Sequence, residues 1–438
     1  MKNTISEPAR EIKVIGDYDV VVVGGGPAGV CAAISAARQE CKTLLIEQFN
    51  CLGGMATAGL HQKIAVFFAE GGSPEIVGGI PRQIADRASK NHEADYRSSG
   101  LFVEIEGFKY LLDRMAEEAG IDLLYHTLFS DALTEDGAVT GVVVNNKSGR
   151  FAARAKVTID CTGDADVAAD AGCRMMVGRP EDGGMQPVTL MYRVGGVDWP
   201  KAHKYWTEDS KLQYFCSRAV EAGLMRPWQT QLMGFWFNPN RPDQVNVNFT
   251  HMHFDGASAF DMTRASIEGR KQVQEAVHAM RELVPGFENS YLIDTAARVG
   301  VRETRRIFGD YVLTAEDIIS RKIFEDSIGL GGAFIDIHNV SGPGMDAKSG
   351  YHLPDGAYYS IPYRTLVPEN VDNLLVAGRC HSATHEAAGS TRWMAQCMVM
   401  GQAAGTAAAM AVENKTTPRA VDIPSLQSRL KKAGAIIS

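Results

Sequence analysis

Buried-strand and helix patterns alternate near the start of the chain. DVVVV (19–23) is a continuous apolar run after its first residue, as expected for a parallel strand that is buried on both faces. VCAAISAARQE (30–40) is rich in small residues and predicts a tightly packed helix, and KTLLIE (42–47) predicts a second strand. This order predicts an α/β domain with a parallel sheet.

Further strand patterns follow in two other parts of the chain. Residues 120–133 and 137–144 predict a strand and a hairpin, and VTIDCTGD (157–164) predicts a strand that ends in a tight glycine turn. Near the other end, NLLVA (373–377) predicts another strand that ends at a glycine, with a helix of small residues after it.

The middle of the chain has a different periodicity. Residues 188–194 and QVNVNF (244–249) alternate apolar with polar or weakly apolar positions, which predicts half-buried strands. Residues 261–283 predict a helix. We therefore expect three parts: a nucleotide-binding part over 1–175, an inserted α+β substrate or cap domain over 176–355, and a closing part over 356–438.

The turn between the first predicted strand and helix is a dinucleotide-binding pattern. Gly24 permits the tight turn, Gly26 lets a pyrophosphate approach the backbone, and Gly29 lets the helix pack closely on the strand. Glu47 ends the second strand, where its carboxylate can accept hydrogen bonds from an adenosine ribose. Strand, turn, helix, strand and acid occur in order, so the sequence predicts a bound dinucleotide.

The joint pattern of motifs resembles a known family. GGGPAG (24–29), the acid-ended second strand, CLGG (51–54), IDCTGD (159–164) and the segment 373–409 resemble FAD-dependent oxidoreductases of the glutathione-reductase-type flavin fold. The closest resemblance is to the subgroup related to fumarate reductase and succinate dehydrogenase flavoprotein subunits. It implies a Rossmann-like FAD-binding domain, a parallel sheet with a small antiparallel β-meander, and the inserted domain above.

The same resemblance implies the residues that contact FAD. Arg379 departs from the pattern, because many relatives carry Asp or Glu there; we expect it to pair with the pyrophosphate or with a neighbouring carboxylate. The implied contacts in the strand ends, turns and loops are Gly24, Gly26, Pro27, Ala28, Gly29, Glu47, Gly53, Gly54, Met55, Phe129, Gly163, Gly378 and Arg379.

Arginines cluster in ARVGVRETRRIFGDYVL (297–313). On a helix, Arg298, Arg302 and Arg305 would share one face and could clamp a substrate carboxylate or stabilise a developing oxyanion. A salt-bridged surface helix is the alternative, given Glu303 close by. Arg302 and Arg305 are the candidates for catalysis.

Two histidines lie in HSATHE (381–386). A metal site is disfavoured because the glycine-ended strand before them places them on a loop, and no third ligand lies nearby in sequence. His381 or His385 could move a substrate proton, and a structural role at the flavin edge is the alternative. The resemblance implies that the next helix begins near Ser390 or Thr391 and stabilises the flavin through Gly389, Ser390, Thr391 and Arg392.

Other segments carry weaker candidates. Tyr363 or Arg364 could line the pocket, although a connecting loop is favoured, and Cys51 could link covalently to the flavin, although a packed thiol is favoured. No second dinucleotide motif and no C-x-x-C pair occurs, so we expect neither an NAD(P)H domain nor thiol–disulfide chemistry.

Charge and composition narrow the partners. The 438 residues carry a net charge of −8 without a run of Lys or Arg, which disfavours nucleic acid and membrane surfaces. Without a signal-peptide pattern or an apolar span, we expect a cytoplasmic protein with reduced cysteines. The electron donor or acceptor and homo-oligomerisation stay open.

The expected reaction is hydride transfer between flavin N5 and a small polar organic substrate, at a C–H, C–OH or C=C bond. Two alternatives are an FAD-dependent isomerase or hydratase without net redox change, and an RNA-directed flavoprotein.

Overall fold

The predicted strands and helices are visible in a computed structural model, which describes residues 5, 9–207, 214–347 and 349–438. The strands in these residues are β1 (Lys13–Val23), β2 (Thr43–Ile46), β3 (Lys63–Ile64), β4 (Ala94–Arg97), β5 (Gly100–Val103), β6 (Asp122–Leu124), β7 (Leu128–Glu135), β8 (Ala138–Asn146), β9 (Gly149–Asp160), β10 (Met175–Val177), β11 (Tyr192–Gly195), β12 (Gly234–Asn238), β13 (Arg241–Asn248), β14 (Tyr291–Thr295), β15 (Arg305–Ile307), β16 (Ser327–Gly331), β17 (Tyr359–Pro362) and β18 (Leu374–Val376). The helices are α1 (Pro27–Ala37), α2 (Gly79–Lys90), α3 (Ile105–Glu118), α4 (Asp166–Asp170), α5 (Trp199–Thr207), α6 (Phe215–Glu221), α7 (Ala259–Leu283), α8 (Ala315–Ile319), α9 (His385–Thr391), α10 (Met394–Asn414) and α11 (Ile423–Lys432).

The largest sheet places the amino-terminal strand pattern at its centre. Its order is β6-β2-β1-β9-β8-β7, and β18 pairs with the carboxyl-terminal half of β9. β1 is parallel to β2 and β9, whereas β8 is antiparallel to β7 and β9. The predicted α/β class with a parallel sheet and an antiparallel meander is confirmed. The carboxyl ends of β1, β2, β9 and β18 meet at one edge, where such sheets bind ligands.

Helices α1 and α10 pack with their backbones in contact. A Cβ built on Gly401 would lie 2.0 Å from the Ala28 carbonyl oxygen, and one on Gly405 would lie 2.2 Å from the Ala32 oxygen. Only glycine fits at such a separation. This contact explains the small residues of both helices, and it holds the closing part of the chain against the nucleotide-binding turn.

The middle of the chain forms a second sheet with its own core. Its antiparallel order is β12-β13-β11-β14, and Tyr192 of β11 pairs with Val247 of β13. α7 packs on this sheet, where Gly269 lies against the Leu190 side chain. The alternating pattern and the helix are as predicted from the sequence, whereas the domain boundaries 1–175, 176–355 and 356–438 stay a prediction.

Two local predictions are wrong. Residues 297–304 are not helical: Gly300 pairs with Thr189 as a β-bridge, and β15 begins at Arg305. The shared helical face of Arg298, Arg302 and Arg305 therefore does not exist. In place of one helix that begins near Ser390 or Thr391, the structure has two: Thr384 caps a short helix that runs from His385 to Thr391, and α10 begins at Met394. His385 therefore begins a helix and does not lie on the predicted loop.

Candidate functional site

The turn after β1 has the geometry that a dinucleotide needs. Gly24 has a φ of +99°, and a Cβ there would lie 2.4 Å from the Cys161 carbonyl oxygen. A Cβ on Gly29 would collide with the Gly24 oxygen, at 1.8 Å. At Gly26, by contrast, a Cβ would meet no described atom within 4 Å. The open side of this turn faces away from the packed protein, as close approach by a pyrophosphate requires.

Glu47 lies at the end of β2 and is fixed by two backbone amides. Its carboxylate accepts hydrogen bonds from Gly25 N–H at 2.7 Å and Phe49 N–H at 2.9 Å. The side chain is buried, yet it also borders the adjoining cleft. These bonds hold the carboxylate at the place where the sequence predicts contact with a ribose.

A cavity of about 540 Å³ opens at this sheet edge, and we call it the nucleotide cleft. The ends of β1 and β2, Thr127–Phe129, Cys161–Thr162 and residues of α4 line it. Among the predicted cofactor residues, Gly24, Gly26, Glu47 and Phe129 lie in its wall. Pro27, Ala28 and Gly29 form the first turn of α1 beside it, whose first N–H groups have no partner within the helix.

A second cavity has a volume of about 580 Å³, and we call it the large cavity. Its wall includes the predicted residues Met55, Arg302, Arg379 and Arg392. Side chains from all three parts of the chain complete the wall; they include His61, Lys63, Thr189, Trp236, Asp336, His338 and Trp393.

The loop Gly53–Met55 lies beside both cavities. A Cβ on Gly54 would lie 3.0 Å from Gly26 Cα, in the turn of the nucleotide cleft, and 3.9 Å from Arg298 Nη1. Met55, the next residue, already lines the large cavity. An elongated ligand that lies along Gly26 and Gly54 would therefore reach both cavities.

Arg379 lies over the turn that follows β9. Its Nη2 donates to Asp164 Oδ1 at 2.8 Å, and a Cβ on Gly163 would lie 2.7 Å from the same nitrogen. Its Nη1 is buried and has no hydrogen-bond partner among the residues that the structure describes. The expected pairing with a neighbouring carboxylate is present, and the free donor fits an anionic oxygen of a bound dinucleotide. Gly378, with a φ of +103°, precedes it at the end of β18.

The candidate catalytic arginines separate in space. Arg302 reaches the large cavity, where its Nη1 donates to Pro187 O and Thr189 Oγ1, both at 2.7 Å. Burial lowers the pKa of Arg302 to about 9, with a further contribution from the charge of Arg392. Arg305 instead borders the nucleotide cleft and binds Asp164 O and the Asp166 carboxylate. Its catalytic role stays a prediction.

The two histidines of HSATHE are buried outside both cavities. His381 is fully buried, its Nε2 lies 2.8 Å from Thr391 Oγ1, and burial lowers its pKa to about 3. His385 Nδ1 lies 2.8 Å from Glu303 Oε1, and Glu303 also pairs with buried Arg306. Neither imidazole lines the nucleotide cleft or the large cavity. Proton transfer by either histidine stays a prediction.

The residues predicted to begin the long helix have structural contacts. Ser390 Oγ donates to Ala333 O at 2.5 Å and lies 2.7 Å from the Tyr359 hydroxyl. Gly389 is packed against the Asp336 backbone, where a Cβ would lie 2.9 Å from the oxygen. Of the four predicted residues in this stretch, only Arg392 lines the large cavity; Gly389, Ser390 and Thr391 do not.

Two histidines that the sequence reasoning missed do line the large cavity. His61 and His338 each have a buried Nδ1 without a hydrogen-bond partner within the described ranges. Burial lowers the pKa of His61 to about 4 and holds that of His338 well below its ordinary value, with Arg302 contributing to both. Both imidazoles are therefore neutral at pH 7. His61 follows the CLGG loop by seven positions, which was a usable signal, whereas nothing in the sequence around His338 marks it.

The weaker candidates lie elsewhere. The Tyr363 hydroxyl donates to Pro418 O, and Arg364 pairs with Asp326, so neither lines a cavity. Cys51 is a buried free thiol 3.8 Å from Thr57 Oγ1. In the described part of the chain, no helix combines the length and apolar character needed to cross a bilayer, and no three His, Cys, Asp or Glu side chains are grouped for a metal.

The family model described as FAD dependent oxidoreductase matches residues 19–430, which is nearly the whole chain. Digeranylgeranylglycerophospholipid reductase 2 of Methanopyrus kandleri is 26% identical over 320 residues, covering 69% of this chain and 70% of that protein. The protein from Thermoplasma acidophilum described as geranylgeranyl bacteriochlorophyll reductase-like has a solved structure with a TM-score of 0.46 and 16% identity. That match covers 95% of this chain and 83% of the other.

Other curated relatives match over shorter segments. Digeranylgeranylglycerophospholipid reductase of Methanocella arvoryzae is 30% identical over 167 residues, 34% of this chain. Thiamine thiazole synthase of Aeropyrum pernix is 34% identical over 131 residues, 29% of this chain. The alignments span 39% and 43% of the lengths of these two relatives.

Proposed function

Because the chain belongs to the FAD-dependent oxidoreductase family, an enzyme family that uses FAD, we propose that it transfers hydride between the flavin and a small polar organic substrate in the large cavity. One observation carries this proposal. The loop Gly53–Met55 extends from the turn of the nucleotide cleft, which Gly54 contacts, to the wall of the large cavity, where Met55 lies together with Arg302 and Arg392. A ligand that fills the cleft and passes Gly54 would bring its far end to the substrate.

The residues of the cleft fit FAD. Glu47 would accept from the ribose hydroxyls, Phe129 would contact the adenine through its backbone, and the α1 amino terminus would face the pyrophosphate. From the side of the large cavity, the free Nη1 of Arg379 would add a further donor. Bound FAD supplies a hydride donor or acceptor at N5. The finer kinship with the fumarate reductase and succinate dehydrogenase flavoproteins belongs to this proposal and is supported by the CLGG and IDCTGD motifs.

The proposal assigns the substrate proton to a histidine of the large cavity. His61 and His338 line it, and each has a buried Nδ1 without a hydrogen-bond partner among the described residues, so either imidazole is placed to accept a proton when a C–OH or C–H bond is oxidised. Arg302 would polarise the substrate, and its tether to Pro187 O and Thr189 Oγ1 fixes the guanidinium in place. His381 and His385 are the rival proton carriers.

Anaerobic reduction of the bound flavin tests the reaction. Purified protein with FAD should be mixed with hydroxy acids, sugars and other reduced organic compounds, and photoreduced protein with unsaturated acids. At least one compound should bleach or restore the visible flavin band. Failure in both directions over the whole panel would overturn the proposal. Turnover of a compound with no net bleaching would identify the isomerase or hydratase instead.

A further inference from the structure

The charges of the large cavity do not balance. Four cationic side chains line it, and among the described lining residues Asp336 is the one carboxylate; the cations are Lys63, Arg302, Arg379 and Arg392. Arg379 and Arg392 are each paired with a carboxylate. Arg302 and Lys63 have no ion pair with any residue that the structure describes. The wall therefore carries an excess of positive charge.

Arg302 is the cation placed to bind an anion. Its two hydrogen bonds, both from Nη1, go to the neutral acceptors Pro187 O and Thr189 Oγ1. Nε and Nη2 donate to no described atom, so one edge of the planar guanidinium is free. A partly buried guanidinium without a counter-ion is costly, and an anionic oxygen would remove that cost. Nearby Arg392 adds a second donor, since its buried Nε has no partner within the described part of the chain.

A large share of the remaining wall is apolar and adaptable. Five methionines and three aromatic residues contribute to it: Met55, Met191, Met233, Met345, Met394, and then Trp236, Phe334, Trp393. Thioethers are polarisable and flexible, so they pack well against hydrocarbon or aromatic groups of different shape. A second charged group on the ligand would lose its hydration against this surface.

Resting on the proposed function, we propose that the substrate is an amphipathic organic anion. Its anionic head group is bound between Arg302 and Arg392, and its apolar body lies against the methionines. Sugars lack the anionic head group, and small dicarboxylates lack the apolar body. A carboxylate and a phosphate monoester share the chemistry that the arginines recognise, and the binding experiment separates them.

Calorimetric binding of redox-inert ligands to the FAD-loaded protein tests this inference without turnover. The ligands are phenylacetate, its neutral isostere phenylacetamide, succinate and benzyl phosphate. Phenylacetate should bind at least about tenfold more tightly than the amide, the difference expected for a charge-assisted hydrogen bond. It should also bind more tightly than succinate, because succinate replaces the apolar body with a second charge. If benzyl phosphate binds more tightly than phenylacetate, the substrate is still an anion and its head group is a phosphate.

A matched pair of variants locates the effect. In Arg302→Gln the preference for acid over amide should disappear. In Arg364→Gln, which alters an arginine paired with Asp326 outside both cavities, it should persist. The flavin spectrum and melting temperature of each variant establish that it is folded and loaded.

Three outcomes would overturn the inference. They are equal binding of acid and amide, succinate binding as tight as phenylacetate, or no binding by any ligand. None of them affects the flavin reduction result, so failure here is distinct from failure of the proposed function. If the anions bind as expected and no compound exchanges electrons with the flavin, the oxidoreductase assignment fails and the cavity's preference stands.

Discussion

His385 Nδ1 lies 2.8 Å from Glu303 Oε1 in the interior of the protein, where both side chains are almost completely buried. Glu303 is also paired with Arg306, which is 2% exposed. The pair thus belongs to a buried ionic cluster that joins the closing part of the chain to the segment before β15.

Replacement of His385 should therefore affect stability more than catalysis. His385→Asn removes the hydrogen bond to a buried carboxylate, and we expect a loss of about 1 to 3 kcal/mol in the free energy of unfolding. Urea unfolding measures this loss, and kcat is measured on the folded protein. His278→Asn, at an exposed position of α7, is the control and should change neither. A large fall in kcat at unchanged stability would favour the catalytic prediction instead.

The cavity histidines should show the opposite behaviour. One of the two variants, His61→Asn or His338→Asn, should remove the proton carrier. The kcat of that variant should be about 10²- to 10⁴-fold lower, the usual range for general acid–base catalysis. FAD content and melting temperature should change little. Rate measurements from pH 5 to 8, with the substrate found in the flavin assay, check the loss and its pH dependence. Unchanged rates in both variants would favour His381 or His385 as the residue that transfers the proton.

Buried neutral histidines predict a loss of stability in mild acid. The pKa values of His61 and His251 are lowered to about 4 and that of His381 to about 3, mainly by burial. Between the unfolded pKa near 6.5 and these values, the unfolded chain binds more protons, so stability falls as pH falls. Each such histidine contributes a slope of about 1.4 kcal/mol per pH unit.

Urea unfolding at a series of pH values measures this slope. His381→Gln should reduce the slope of unfolding free energy against pH by about 1.4 kcal/mol per pH unit, the contribution of one histidine. His278→Gln, at the exposed position, should leave the slope unchanged. Equal slopes in wild type and His381→Gln would show that His381 is not kept neutral in the folded protein.

Two glycines should differ in what they support. A Cβ at Gly26 meets no described atom within 4 Å, so Gly26→Val should fold and yet fail to retain FAD, because the side chain would occupy the pyrophosphate position. Gly29→Ala should destabilise the fold itself, because its Cβ would lie 1.8 Å from Gly24 O. The flavin-to-protein ratio and the melting temperature of the apoprotein separate these effects. Yellow Gly26→Val protein with a normal flavin content would contradict the assignment of the cleft.

The nucleotide half of the site could be predicted because its signal is local. Strand, turn, helix and acid lie within residues 18–47, and each residue's task follows from the backbone path of that one unit. The arginine segment could not be predicted in the same way. Charged residues at spacings of three and four suggest a helix, but Gly300 pairs with Thr189, far away in sequence, and this long-range pairing imposes an extended backbone.

The substrate half depends on tertiary structure. His61 and His338 belong to different parts of the chain, and only the folded structure brings them to the same cavity. The short helix at His385 had a sequence signal, since Thr384 is a favourable N-cap whose side chain accepts from Ala387 N–H. Gly389 and Ser390, further along the chain, instead suggested that the helix begins later.

The contact between α1 and α10 has a consequence for how the enzyme is made. The helix that supports the nucleotide-binding turn is covered by residues 394–414, and β18 joins the sheet just before them. These segments leave a ribosome only after the turn that follows β1 and all of the chain between them have been synthesised. The contact between α1 and α10 therefore cannot form while α1 is being synthesised, and it is made only after residues 394–414 have emerged.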